Sequence, residues 1–167
     1  MVFSTTNTDN KVDNKITVGI GQVFGARAPA TFHSVLGSCI GVVLYSRQHK
    51  TGAMAHVVLP AQVAGSADTP GKYADTAIKH MLKLLAREGV MLEHLTAKIT
   101  GGAAMFNTSG PLQIGEKNID AVKAELTNAN IRLGGDDTGG TKGRRVTFDL
   151  ETGMFTVETV GQEPTVF

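Results

Sequence analysis

Leu36-Gly37-Ser38-Cys39-Ile40-Gly41-Val42-Val43-Leu44-Tyr45 and, after a polar turn, Ala53-Met54-Ala55-His56-Val57-Val58-Leu59-Pro60 are the two stretches from which the fold is read. Residues 40–45 form an apolar run of strand length with no polar alternation, the pattern of a strand covered on both faces. Residues 46–52 are polar and turn-like, and Pro60 closes the second run, because proline cannot continue a strand ladder. Two such runs joined by a short turn pair as an antiparallel hairpin. The hairpin sets Cys39 at the mouth of one strand and His56 inside its neighbour.

Working outward, residues 15–20 read as a first strand, followed by a Gly/Ala/Pro stretch at 25–30 and a segment at 31–36 that runs into Gly37. Downstream, residues 61–71 are small and polar, an exposed loop. Between 73 and 88, Ala74, Ala77, Ile78, Met81, Leu82, Leu84 and Leu85 recur at spacings of three and four, which predicts an amphipathic helix stopped at Gly89. Residues 97–100 predict a short strand, and residues 117–128 a second helix with Ile119, Val122 and Leu126 on one side. Near the end, residues 145–148 and 155–157 alternate and are joined at Glu151-Thr152-Gly153, a second hairpin. The fold class is therefore α/β with α+β character, a mostly antiparallel mixed β core flanked by two main helices. One domain is expected over 15–167, preceded by a mobile polar tail at 1–14.

Composition narrows the function. The chain has 167 residues, enough to bury a core without staples, and is 41% apolar and 19% charged. A formal net charge of +1 argues against a surface built for nucleic acid or anionic membrane, and the lack of Trp argues against base-stacking platforms. No apolar run near the start has the length of a signal peptide or span, so a cytoplasmic protein with no membrane insertion is expected. A single cysteine forms no internal disulfide, which fits a reducing compartment.

That cysteine is the sharpest chemical feature. A turn of small residues at Gly37-Ser38 lets a substrate approach the backbone at Cys39 closely. A neighbouring imidazole can activate the thiol, and of the five histidines His56 alone sits inside an apolar strand, where an unpartnered polar ring is costly. Free cysteines also serve as small buried hydrophobes, and core histidines often bond backbone, so the residues alone leave both readings open. Other patterns carry less. Gly19-Ile20-Gly21 with Gly25 brushes the dinucleotide fingerprint, but the third glycine is misplaced and Pro29 has no periodic helix behind it. The glycine-rich, charged run 134–145 reads as a flexible loop rather than an anion cradle. Histidines at 33, 49, 56, 80 and 94 show no zinc-ligand spacing, and no Ser-hydrolase elbow is present, so neither a metal nor a cofactor is expected.

Leu36-Gly37-Ser38-Cys39-Ile40 followed by Met54-Ala55-His56-Val57-Val58-Leu59-Pro60 resembles the signature of the CheD family, the chemoreceptor glutamine deamidases of bacterial chemotaxis. Further blocks are similar in order: Lys72-Tyr73-Ala74-Asp75, Ala97-Lys98-Ile99-Thr100-Gly101-Gly102-Ala103, Ile114-Gly115-Glu116-Lys117-Asn118, and the run from Asp137 through Val146. The resemblance covers residues 16–159 or so. It implies a fold similar to the catalytic domains of deamidating toxins and a Cys39 nucleophile with His56 as base. The implied reaction converts receptor glutamine to glutamate through a thioester, with glutamyl methyl ester hydrolysis as a second activity. The family orients its histidine with a hydroxyl residue before the cysteine. Ser34, five before Cys39, is the choice here, with Thr31 as alternative and His33 at the position six before. Thr100 stands where the family often has Phe. Methyl-accepting chemoreceptors are the implied substrate proteins, and a CheC-type phosphatase is an implied regulator in some species. A monomer is expected. The competing reading is a catalytically weak binding module that sequesters such a phosphatase or receptor.

Overall fold

The computed structural model describes residues 2–3, 14–62, 69–105 and 113–167. In chain order the elements are β1 (Val2–Phe3), β2 (Lys15–Thr17), β3 (Val23–Arg27), β4 (Thr31–Leu36), β5 (Ile40–Ser46), β6 (Thr51–Val57), α1 (Ala74–Arg87), β7 (Thr96–Gly101), α2 (Ile114–Asn128), β8 (Arg132–Thr138), β9 (Arg144–Asp149), β10 (Phe155–Thr159) and β11 (Thr165–Val166). The strands form a six-stranded sheet ordered β1-β3-β6-β5-β7-β8 and a five-stranded sheet ordered β11-β10-β9-β4-β2. Both sheets are mixed, since β7–β8 and β2–β4 run parallel among otherwise antiparallel pairs.

The apolar run at 40–45 is explained by position. β5 lies between β6 and β7, and all of its residues are buried. Successive side chains on a strand point to opposite faces. Ile40, Val42 and Leu44 pack with Ala53, Ala55 and Val57 of β6 beneath Ile78, Met81 and Leu85 of α1 and Val122 and Leu126 of α2. Val43 and Tyr45 point the other way, into a second core with Phe32, Phe148 and Phe155 between the two sheets. The molecule is thus layered helices, sheet, sheet. Burying a side chain of this size contributes about 1.5–3 kcal/mol, so a central strand with two covered faces anchors both cores. The β5–β6 hairpin pairs Ile40 with Val57 and Gly41 with His56, and β9–β10 forms the second hairpin.

Two expectations are corrected. The run 134–145 is not one flexible loop: residues 132–138 form β8, paired with β7, and the Arg144 side chain is buried rather than solvated. The glycines there mark close packing, since a Cβ on Gly135 would lie 2.2 Å from the Phe167 ring. The Gly/Ala/Pro stretch at 25–30, to which the sequence reading assigns no element, overlaps β3, which occupies Val23–Arg27 and pairs with β6. The second helix begins at Ile114, three residues before the expected start, with Gly115 and Asn118 on its buried side. The tail expected at 1–14 falls mostly outside the described residues; of those described, Val2 and Phe3 pair with Ala26 and Gly25, and the Asn14 carbonyl accepts from Thr31 N–H. Much of the loop expected at 61–71 also lies outside them. No helix among the described residues is long and apolar enough to cross a membrane.

Candidate active site

Register decides which side chains meet. His56 is opposite Gly41, two residues after Cys39, so the bend that carries Cys39 leads directly into the strand beside His56. They share a face: Cys39 packs against the core between the sheets, the side from which His56 is reached by β4. Cys39 is partly exposed in the turn at 37–39, whereas His56 is only 3% exposed.

The third partner comes from the other sheet. On β4, Phe32, Ser34 and Leu36 point inward, and Ser34 is 4% exposed. Its Oγ lies 3.0 Å from His56 Nδ1 and donates to the Val18 carbonyl at 2.8 Å. The same carbonyl is 3.4 Å from Nδ1. A carbonyl only accepts, and the Ser34 proton is already committed to it, so Nδ1 carries the imidazole proton and donates to Ser34 Oγ. That leaves Nε2 as the basic nitrogen. Thr31, the alternative, is engaged elsewhere: its Oγ1 is 2.9 Å from His33 Nε2, and Thr147 Oγ1 is 3.0 Å from His33 Nδ1. Ser34→Ala removes the partner that holds the ring and its tautomer, and is expected to lower kcat about 10–100-fold with little change in KM, read by steady-state kinetics.

The turn that carries Cys39 is held from the far side. Gly102 N–H donates to the Cys39 carbonyl at 2.8 Å and Ala103 N–H to the Gly37 carbonyl at 2.9 Å. Arg144 supports the same corner, with Nη1 donating to the Gly101 carbonyl at 2.6 Å, Nη2 to the Gly139 carbonyl at 2.8 Å, and Asp137 at 3.2 Å. Thr100 is fully buried opposite Gly41, so it lies in one row across the sheet with His56. Two clefts lie near these groups, one against His56 and one reaching the turn at Ser38. One of about 400 Å³ is lined by His56, Ser34, Val18, Ile20, Val35, Lys15 and Arg145, and one of about 340 Å³ by Ser38, Gly102, Ala103, Met105 and Ile119. No group of three His, Cys, Asp or Glu residues among the described residues is placed to hold a metal ion.

Burial pushes the Cys39 thiol up from its ordinary value. Burial pulls His56 down, opposed in part by its bond to the Val18 carbonyl. Both shifts run toward a neutral thiol and a neutral imidazole. Slow alkylation of Cys39 at neutral pH is therefore expected of an enzyme as well as of an inert module, and does not separate the two. The His56 shift also has a thermodynamic consequence. The folded protein binds that proton less readily than the unfolded chain, so the stabilisation is complete above about pH 6.5 and is lost as pH falls toward the folded value. His33 is lowered too, by burial and then by Lys15, and acts in the same window. Urea midpoints measured from neutral to mildly acidic pH are expected to fall, and less steeply in His56→Gln than in the parent. Equal slopes would refute the assignment.

Several groups escaped the sequence reading. Arg144, expected in a solvated charge cluster, is buried, and Asn118, named from the sequence only within the block Ile114 to Asn118, is fully buried against the turn. The polar residue among apolar helix neighbours was the available signal for Asn118.

Comparison with known proteins shows the family of the chain. A family profile described as CheD chemotactic sensory transduction matches residues 58–159. A relative from Thermotoga maritima named chemoreceptor glutamine deamidase CheD is 43% identical over 148 residues, 88% of this chain and 93% of that protein. One from Methanococcus vannielii named probable chemoreceptor glutamine deamidase CheD is 40% identical over 143 residues, 85% of this chain and 93% of the relative. One of the same name from Pyrococcus horikoshii is 41% identical over 143 residues, 83% and 88% of the two chains. Ser34, Cys39 and His56 all precede the span the profile matches, so the profile match and the geometry of the site are separate observations. The chain belongs to the CheD family.

Proposed function

We propose that this chain deamidates glutamine side chains of methyl-accepting chemoreceptors, with Cys39 as nucleophile, His56 as general base and acid, and Ser34 as the residue that orients His56. The hydrogen bond between Ser34 Oγ and His56 Nδ1, closed onto the Val18 carbonyl, carries the reading, because it frees Nε2 to take the thiol proton. The names of the relatives support the substrate.

The steps follow from those roles. Nε2 takes the thiol proton as sulfur adds to the glutamine carboxamide carbon. The tetrahedral oxyanion collapses as the imidazolium protonates the leaving nitrogen, and ammonia departs. Water, deprotonated by the same Nε2, then adds to the thioester, and sulfur leaves and is reprotonated, so glutamine and water become glutamate and ammonia. A glutamyl methyl ester enters the same sequence with methanol leaving in place of ammonia. The upward shift of the buried Cys39 thiol is in keeping with proton transfer during the attack. The test is incubation of purified protein with a cytoplasmic receptor fragment, following ammonia and glutamine-to-glutamate conversion by mass spectrometry. Conversion by the parent and none by Cys39→Ala is expected. No conversion by the parent favours the binding-module reading, and equal conversion by Cys39→Ala overturns the mechanism.

A further inference from the structure

Asn118 has no place in the steps above, yet it is fully buried and faces the nucleophile's turn from α2. Its Nδ2 donates to the Ser38 carbonyl at 3.1 Å and to the Val58 carbonyl at 2.9 Å. Flipping the amide would set an oxygen against two carbonyl oxygens, so the assignment is fixed by chemistry. Oδ1 is left buried with no partner among the described residues. An unsatisfied buried acceptor is a cost that an apolar residue at this helix position would not carry.

With Asn118 in place, all three carbonyls of the turn are held: Gly37 by Ala103 N–H, Ser38 by Asn118, and Cys39 by Gly102 N–H. A trans peptide points its N–H opposite to its C=O. The Ser38 carbonyl faces α2, which packs on one side of the six-stranded sheet, so the Cys39 N–H is directed toward the other side. That is the side carrying the thiol and His56. Neither Ser38 N–H nor Cys39 N–H has a backbone acceptor among the described residues.

We infer that Asn118 is a positioning residue that locks the Ser38–Cys39 peptide so that the Cys39 N–H, with that of Ser38, receives the oxyanion formed when the thiol adds to the carboxamide. The inference rests on the deamidase reading and deepens it. A donor aimed in advance at developing charge acts on the tetrahedral state and leaves ground-state binding alone.

The experiment separates chemistry that needs an oxyanion hole from chemistry that does not. Iodoacetamide alkylates sulfur at a saturated carbon, so it reports the thiol alone, and with one cysteine in the chain all label is on Cys39. In Asn118→Ala, kcat for deamidation is expected to fall about 10–100-fold with KM within about twofold, while the alkylation rate and its pH profile stay within about twofold of the parent. Alkylation falling together with kcat would show that Asn118 merely holds the thiol or the fold, and unchanged kcat would show no role; either overturns the inference. Asn118→Ser carries the same two readouts should the alanine protein fail to fold. A parent protein no more active than Cys39→Ala sinks the deamidase reading itself, which that control tells apart.

Discussion

Alanine at His56 is expected to lower glutamine deamidation by about a thousandfold or more, and alanine at Cys39 by at least as much. The two losses should not add. In the proposed mechanism His56 acts through the thiol proton and the leaving nitrogen, so once sulfur is gone the imidazole has nothing to activate. The double variant should match Cys39→Ala alone, as expected of residues that work as one unit. The geometry behind this is the bend at Cys39 leading into the strand beside His56, with the far side of the ring tied to Ser34 and Val18. An acid limb in kcat/KM should accompany it, falling below the ordinary histidine range because burial lowers His56. Fully additive losses, or a His56→Ala enzyme within about tenfold of the parent, would remove His56 from the chemistry.

Gly101→Ala is expected to have the second largest effect, on stability and activity together. Gly101 has φ +105°, and a Cβ there would lie 2.2 Å from the Cys39 carbonyl oxygen and 3.4 Å from Ile40 Cα. No side-chain rotation relieves a clash between backbone atoms. The turn that carries the nucleophile would have to move, and the bonds from Gly102 N–H to Cys39 and from Arg144 to Gly101 would loosen with it. A cost of about 3 kcal/mol or more follows from strain plus lost bonds, with activity falling further than the loss of folded protein explains. Gly89→Ala is the control. Its φ is +77°, and nothing lies within 4 Å of the added carbon, so it carries the dihedral penalty without the collision. It should cost about 1 kcal/mol and leave kcat unchanged. Urea denaturation and steady-state assays of both variants give the comparison, and similar losses in the two would show that the contact with Cys39 is unimportant.

The path of the chain through the site was legible because it is written in local terms. A two-face apolar run, a polar turn and a closing proline required the hairpin, and the hairpin put Cys39 at the mouth of the strand beside His56. The α1 face was equally plain, as three- and four-residue spacings have one helical solution. Ser34 was nameable but not placeable. One residue of slip on β4 would have turned it out and His33 in, and only the pairing with β9 sets that parity. β8 was hidden because glycine signals a turn locally, while here it serves a close approach that another part of the chain imposes.

Ordered motifs and hydrophobic period are properties of neighbouring residues, and they were sufficient for the family, the α/β class and the naming of Cys39 and His56 as candidates. The hydrogen bonds that orient His56 and hold the turn at Cys39 join residues far apart in the chain: Val18 with Ser34 and His56, Ser38 with Asn118, Gly101 with Arg144. Contacts of that kind have no period and no spacing. They exist only after two sheets and a helix have packed, which is why the tertiary structure alone could supply the imidazole tautomer, the buried Arg144 and the amide of Asn118.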